Sequence, residues 1–258
     1  MNYNSLVLRD RDGPSTTVLT LNRPEKRNAL NMALMKELCA AVEKTSRDKS
    51  QRVLVLKGAG PVFCAGLDLE EASKPGKVDA GARMVAKTLL AIHGLPLVTV
   101  AIVHGAALAG GAGLMSACDF VLVEEDAKIG YPETRRGLVA ALVMTFLRRQ
   151  LRERDVRELL LTGESIMSHK ALEIGLINRI VPAADPMAAM VEVRKIAEQV
   201  VQGGPSATAR TKKILDDMWP SSVKKDFVLA LKHHLQARRS KEADEGIRAF
   251  LEGRKPQW

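Results

Sequence analysis

Four consecutive apolar residues, Val53-Leu54-Val55-Leu56, form a strand-like stretch with no polar alternation. A strand with one wet face alternates apolar and polar side chains, so an unbroken run points to a sheet covered on both faces. Stretches 97–103 and 120–123 have the same character. Helical segments separate them. Met35, Leu38, Cys39 and Val42 recur at i, i+3, i+4 and i+7 in a helix starting near Asn31, and a second helix covers residues 80–93. The small-residue run from Gly105 to Gly113 opens a third. Strands alternating with helices predict an α/β fold of parallel βαβ units, with a helical lobe after Gly137. A hairpin comes first: Leu6-Val7-Leu8 and Val18-Leu19-Thr20-Leu21, joined near Asp12-Gly13-Pro14. Gly203-Gly204-Pro205 marks a boundary before the terminal helices.

At 258 residues the chain suits one large domain, and only 3% of it is aromatic, so Leu, Val, Ile, Ala and Met must build the core. No apolar run approaches the roughly 20 residues that span a bilayer. The opening residues are too short and too acidic a stretch for a secretory signal, so a cytoplasmic protein is expected. Cys39, Cys64 and Cys118 are widely spaced and lack CxxC or His companions. They read as small buried residues, with no disulfide framework and no metal site. The net charge of +9 suits a phosphorylated ligand or plain solubility. No nucleic-acid-binding motif accompanies it, so neither nucleic acid nor membrane is expected as a partner.

Two glycine-centred turns follow two buried strands: Phe63-Cys64-Ala65-Gly66-Leu67-Asp68-Leu69, and Ala109-Gly110-Gly111 at a helix start. Backbone amides aimed at one oxygen stabilise an enolate without a flexible side chain, each contributing roughly 3–4 kcal/mol in the transition state. Glycine permits close backbone approach, and a helix N-terminus adds a favourable dipole. The expected donors are the amides of Leu67 and Gly110. Taken alone, each turn serves equally well as a packing element.

Four motifs stand in order: Leu21-Asn22-Arg23-Pro24-Glu25-Lys26-Arg27-Asn28-Ala29-Leu30, then the Phe63–Leu69 turn, then His104 through Gly111 to Cys118-Asp119, then Tyr131-Pro132-Glu133. Together they resemble the crotonase (enoyl-CoA hydratase/isomerase) superfamily, from about residue 5 to the C-terminus. The resemblance implies a crotonase-like spiral of ββα units with a helical C-terminal region. It implies a core over residues 1–203, a helical trimerisation region over 204–258, and homotrimers or paired trimers. The substrate is then an acyl-CoA or enoyl-CoA in a bent form, with no separate cofactor because coenzyme A is part of the substrate.

The same resemblance assigns the oxyanion hole to Leu67 and Gly110 and an acid/base role to Glu133. It sets Arg23 and Lys26 near the nucleotide and the backbone of Cys64, Ala65 and Gly66 near the adenine. It sends Lys255, in the tail after Phe250, toward a neighbour's phosphates. Hydratases of the family generally carry a further glutamate where this chain has Gly113. One carboxylate can still take a proton from one carbon and return it to another, which favours double-bond isomerisation; hydration stays open. A non-catalytic acyl-CoA-binding homologue is the alternative. Residues 138–142 lack the extra acid of the family's dienoyl isomerases. Asp68 is expected to orient its loop, Tyr131 to pack, His93 and His104 to be structural, and the pair His233-His234 to lie on a solvated helix face.

Overall fold

The computed structural model describes residues 5–74, 77–185 and 187–257. β1 (Val7–Arg11) and β2 (Thr16–Leu21) form the predicted antiparallel hairpin. A short 3-10 turn at Pro24–Lys26 leads to α1 (Met32–Arg47). Asn31 caps this helix by accepting a hydrogen bond from the Leu34 amide at 2.8 Å. Leu34, Met35, Leu38 and Val42 are buried along one stripe, whereas Cys39 is only half-buried, its thiol 3.5 Å from Thr88 Oγ1.

β3 (Val53–Gly58) pairs in parallel with β2 and with β4 (Val98–Val103). Between them lie α2 (Leu69–Ala72) and α3 (Val78–His93). β5 (Ala106–Leu108) and α4 (Gly110–Ser116) follow, then β6 (Phe120–Glu124) and β7 (Lys128–Gly130). The unbroken apolar run behaves as its composition requires. Leu54 and Leu56 enter the cluster that holds the α1 and α3 stripes, while Val53 and Val55 enter a second cluster with Val193 and Ile196. The latter two belong to α8 (Ala188–Gln202) on the opposite face. Each fully buried Leu or Val there contributes roughly 1.5–3 kcal/mol.

The region after Gly137 is less uniformly helical than its composition suggests. α5 (Ala141–Gln150) and α6 (Glu153–Thr162) precede β8 (Ser165–Met167), α7 (Ser168–Glu173) and β9 (Arg179–Val181). β9 completes a six-stranded sheet in the order β1-β2-β3-β4-β6-β9, and β8 joins β5 and β7 in a three-stranded one. Three residues are too few to show a period, so pairing with an existing edge decides these strands.

α9 (Pro205–Asp217), α10 (Val223–Arg238) and α11 (Lys241–Leu251) close the chain. Pro205 sits at the first helical position of α9, where its missing amide leaves no bond unmade. α10 packs on α3 and α5, with Val223 and Phe227 in the main core. α11 packs on the turn after β7, where a β-carbon on Gly246 would stand 2.4 Å from the Arg136 backbone. No helix among the described residues is long and apolar enough to cross a membrane.

Candidate active site

The Phe63–Leu69 turn is clamped from two sides. Cys64 N donates to Ala106 O at 3.2 Å and Leu108 N donates to Cys64 O at 3.0 Å, which ties the turn to β5. On the other side, Leu30 N donates to Gly66 O at 2.7 Å and Asp68 N donates to Leu30 O at 3.0 Å. In a parallel bridge the groups flanking a residue face the partner, so the N–H of that residue points the other way. Leu67 N–H is therefore turned away from Leu30. Gly66 makes the bend possible: its φ is +96°, and a β-carbon there would stand 2.8 Å from Leu108 O.

Gly110 begins α4, and the first bond inside that helix runs from Gly113 N to Ala109 O. Its own amide is thus one of the orphan donors of a helix start. Ala109 delivers the chain there with φ 48° and ψ −120°, a conformation that costs an ordinary residue about 1–3 kcal/mol. Strain of that size persists only where surroundings enforce it; here Ala109 N donates to Gly130 O at 2.9 Å. Gly111 lets α4 meet the other turn, since a β-carbon on it would stand 2.3 Å from Cys64 O. The two turns are adjacent. The β-carbon position of Gly110 is 3.6 Å from Leu67 N, and neither amide donates to a partner among the described residues.

Leu67 and Gly110 line one cleft, together with Ala65 and Glu133. Glu133 follows β7 at the head of a 3-10 turn, Thr134–Arg136, and its carbonyl accepts from Arg136 N and Leu138 N at 2.9 and 3.0 Å. The residue as a whole is half-exposed, yet Oε2 is sealed from solvent and has no hydrogen-bond partner among the described residues. Burial pushes this carboxyl up to about 7, against its own backbone amide and the Arg136 charge. An acid with that value can give or take a proton near neutral pH. The rest of the wall is mostly apolar: Leu69, Val85, Leu138, Leu142 and Val143.

Gly113 does not open onto free space. A β-carbon there would meet Val143 Cγ2 at 3.1 Å and Leu89 Cδ2 at 3.5 Å. Val143 would have to give by a few tenths of an ångström to admit a side chain there, while Leu89 stands at ordinary contact distance. Tyr131 is fully buried outside the cleft lining, its hydroxyl 3.3 Å from Ser116 Oγ, and burial raises its pKa. It packs, as expected.

Asp68 caps α2 by accepting from Glu71 N at 3.1 Å, and it accepts from Arg23 Nη1 at 2.6 Å. Burial works against its charge, but these two partners hold the carboxyl below the ordinary carboxylate range. Arg23 also donates to Ala29 O at 3.0 Å, so its guanidinium is engaged in holding two loops together. Asn28, which carries a positive φ of 54°, donates from Nδ2 to Ala59 O, Val62 O and Phe63 O at 2.8, 2.9 and 3.1 Å. Lys26 is exposed, 3.5 Å from Glu70. The Cys64 thiol is buried and pushed up to about 12 by that burial. Lys255 lies on the exposed tail, and neither it nor Arg23, Lys26, Cys64 or Gly66 lines the cleft. His104 Nε2 lies 2.9 Å from Gly60 O, and His93 stacks on Phe146 away from the cleft.

His234 departs from its expected place. His233 is exposed, but His234 lines the cleft, where burial and then the neighbouring Arg238 charge push it down to about 4. Val223, Phe227, His234 and Arg238 fall at i, i+4, i+11 and i+15, one face of α10. That spacing is the signal by which the sequence could have revealed it. Arg136, Arg238 and Phe250 also line the cleft.

The profile of the Enoyl-CoA hydratase/isomerase family matches residues 12–258. The chain belongs to this family. A Thermus thermophilus protein provisionally named an enoyl-CoA hydratase is 37% identical over 246 residues, covering 93% of this chain and 96% of its own. The mevalonyl-coenzyme A hydratase of Aspergillus fumigatus is 32% identical over 255 residues, covering 95% and 92%. A solved enoyl-CoA hydratase from Mycobacterium avium superposes with a TM-score of 0.85 at 31% identity, covering 99% of both chains. The crotonase-like spiral with a helical C-terminal region is therefore the fold of this enoyl-CoA hydratase-family chain.

Proposed function

We propose that this chain moves a proton on an enoyl-CoA, shifting a double bond between the 3- and 2-positions. The Leu67 and Gly110 amides hold the thioester oxygen. Glu133 removes a proton from C2, the charge spreads onto that oxygen, and the same carboxyl returns the proton to C4. One observation carries this reading: a buried carboxyl with an unpartnered oxygen shares a mostly apolar cleft with two unengaged backbone amides. It is supported by Gly113, which supplies no second acid at that position. Hydration is the second reading, favoured by the names of the relatives. An acyl-CoA-binding homologue without turnover is the third.

A product-resolved assay in deuterated water, run on matched 3-enoyl- and 2-enoyl-CoA esters, separates them. Migration of the 3-ene with solvent deuterium at C2 or C4 is expected to outpace water addition to the 2-ene. The reverse order favours hydration, and no product from either ester leaves only binding.

Gly113→Glu alone is expected to lower stability by roughly 1–3 kcal/mol through overpacking. Hydration of crotonyl-CoA should not rise, because the new side chain starts in a tight contact with Val143 Cγ2, 3.1 Å from its β-carbon. Adding Val143→Ala should recover part of the melting temperature. A gain in hydration by the single variant contradicts this account of the missing acid.

For the nucleotide, the Ala65 carbonyl is the group of the Cys64–Gly66 stretch best placed to meet an adenine, since no described residue donates to it. Lys26 and Lys255 are exposed cations suited to phosphate; Arg23 is held by Asp68 instead. Residues 204–258 are proposed to assemble trimers or paired trimers. Leu215, Met218, Val228 and Leu229 are 64%, 79%, 72% and 58% exposed there, apolar surface that such an assembly would cover.

A further inference from the structure

The cleft carries positive charge that the proton transfer does not use. We propose that the part of the cleft lined by α10 is a carboxylate subsite built on Arg238, with His234 beside it, so that the preferred acyl group is an enoyl chain ending in a carboxylate. This deepens the enoyl-CoA reading above and rests on it.

Arg238 is 5% exposed and lines the cleft. Nη2 donates to Ala72 O at 2.9 Å, while Nη1 is sealed from solvent and has no hydrogen-bond partner among the described residues. Burial works against the charge of this guanidinium, and Asp244 acts on it favourably through space. A buried guanidinium nitrogen left without an acceptor is unfavourable, and such groups persist mainly where something answers them. His234 stands one helical turn earlier on the same face and lines the same cleft. Arg136 adds a second guanidinium, seated over the Phe250 ring at 4.4 Å and without an ion pair among the described residues. Against the two guanidiniums, Glu133 is the one acid lining the cleft; His234, pushed down to about 4, adds no charge near neutral pH. An anion is therefore the ligand group that the α10 side of the cleft lacks. A guanidinium fork fits a carboxylate, and the apolar wall between Glu133 and α10 suits a short aliphatic spacer.

The phosphates of coenzyme A are the other possible anions, and the test separates the two. Saturated acyl-CoA esters of matched length, ending in carboxylate or in methyl, are titrated calorimetrically into the wild type and Arg238→Met. The series is repeated with acyl-pantetheine thioesters, which lack the nucleotide phosphates. Wild type is expected to bind the carboxylate-ended ester at least tenfold more tightly in both series, and Arg238→Met to remove that preference. Equal or weaker binding of the carboxylate-ended ester by wild type overturns the subsite, whether or not the variant folds. So does Arg238→Met weakening both CoA esters alike while sparing both pantetheine esters, which assigns the arginine to phosphate. Because binding is read without turnover, failure of the isomerisation assay leaves this test intact. Turnover without carboxylate preference sinks the subsite alone.

Discussion

Glu133→Gln is expected to lower turnover of an enoyl-CoA by about 10²–10⁴-fold, the usual contribution of a positioned acid/base, while leaving acyl-CoA affinity nearly intact. Glutamine keeps the shape and volume of the side chain and removes the proton carrier. Unchanged rates exclude Glu133 from the mechanism. The same substitution has a second signature, in stability. The carboxyl titrates near 4.5 in the unfolded chain and about 7 when folded, because burial disfavours its charge. Between those values the folded state holds a proton that the unfolded state has released, so stability falls as pH rises. The contribution is complete below about 4.5 and lost once pH passes 7, at roughly 3 kcal/mol as an upper bound. Glu133→Gln lacks this slope. Its melting temperature should therefore exceed that of the wild type at pH 8 and converge with it near pH 4.

Gly111→Ala carries the second-largest expected effect. Its new β-carbon would stand 2.3 Å from Cys64 O and 2.8 Å from Cys64 Cβ, both anchored in the clamped turn. Backbone must move, and the element free to move is the start of α4, which carries Gly110. The two amides then separate. Losing one oxyanion donor costs about 10²–10³ in kcat. The variant should also unfold several degrees earlier, since overpacking is destabilising by about 1–3 kcal/mol. A folded Gly111→Ala protein with wild-type kcat contradicts the pairing of these two turns.

Much of this architecture is legible in the sequence because it rests on local physics. The unbroken run at Val53–Leu56 announces a sheet covered on two faces, and two separate clusters receive its alternate side chains. Leu67 and Gly110 follow from glycine placement, and the structure brings them beside each other and into one cleft with Glu133. What escapes is tertiary. β8 and β9 are too short to show a period and exist only because an edge is waiting. His234 looks solvated among lysines and arginines until α10 is laid across α3 and α5. Arg23 is expected near the nucleotide, and its tie to Asp68, 45 positions away in sequence and 2.6 Å away in space, is not legible there. In sequence, residues 71–81 read as a loop that shapes the acyl site; residues 78–81 instead open α3, and residues 75 and 76 lie outside the described residues.

The most direct test of the whole account is a crystal structure with a saturated acyl-CoA bound. The thioester oxygen should lie about 2.7–3.1 Å from both the residue 67 and residue 110 nitrogens, with the Glu133 carboxyl against C2. A thioester oxygen out of hydrogen-bond reach of both amides would contradict it.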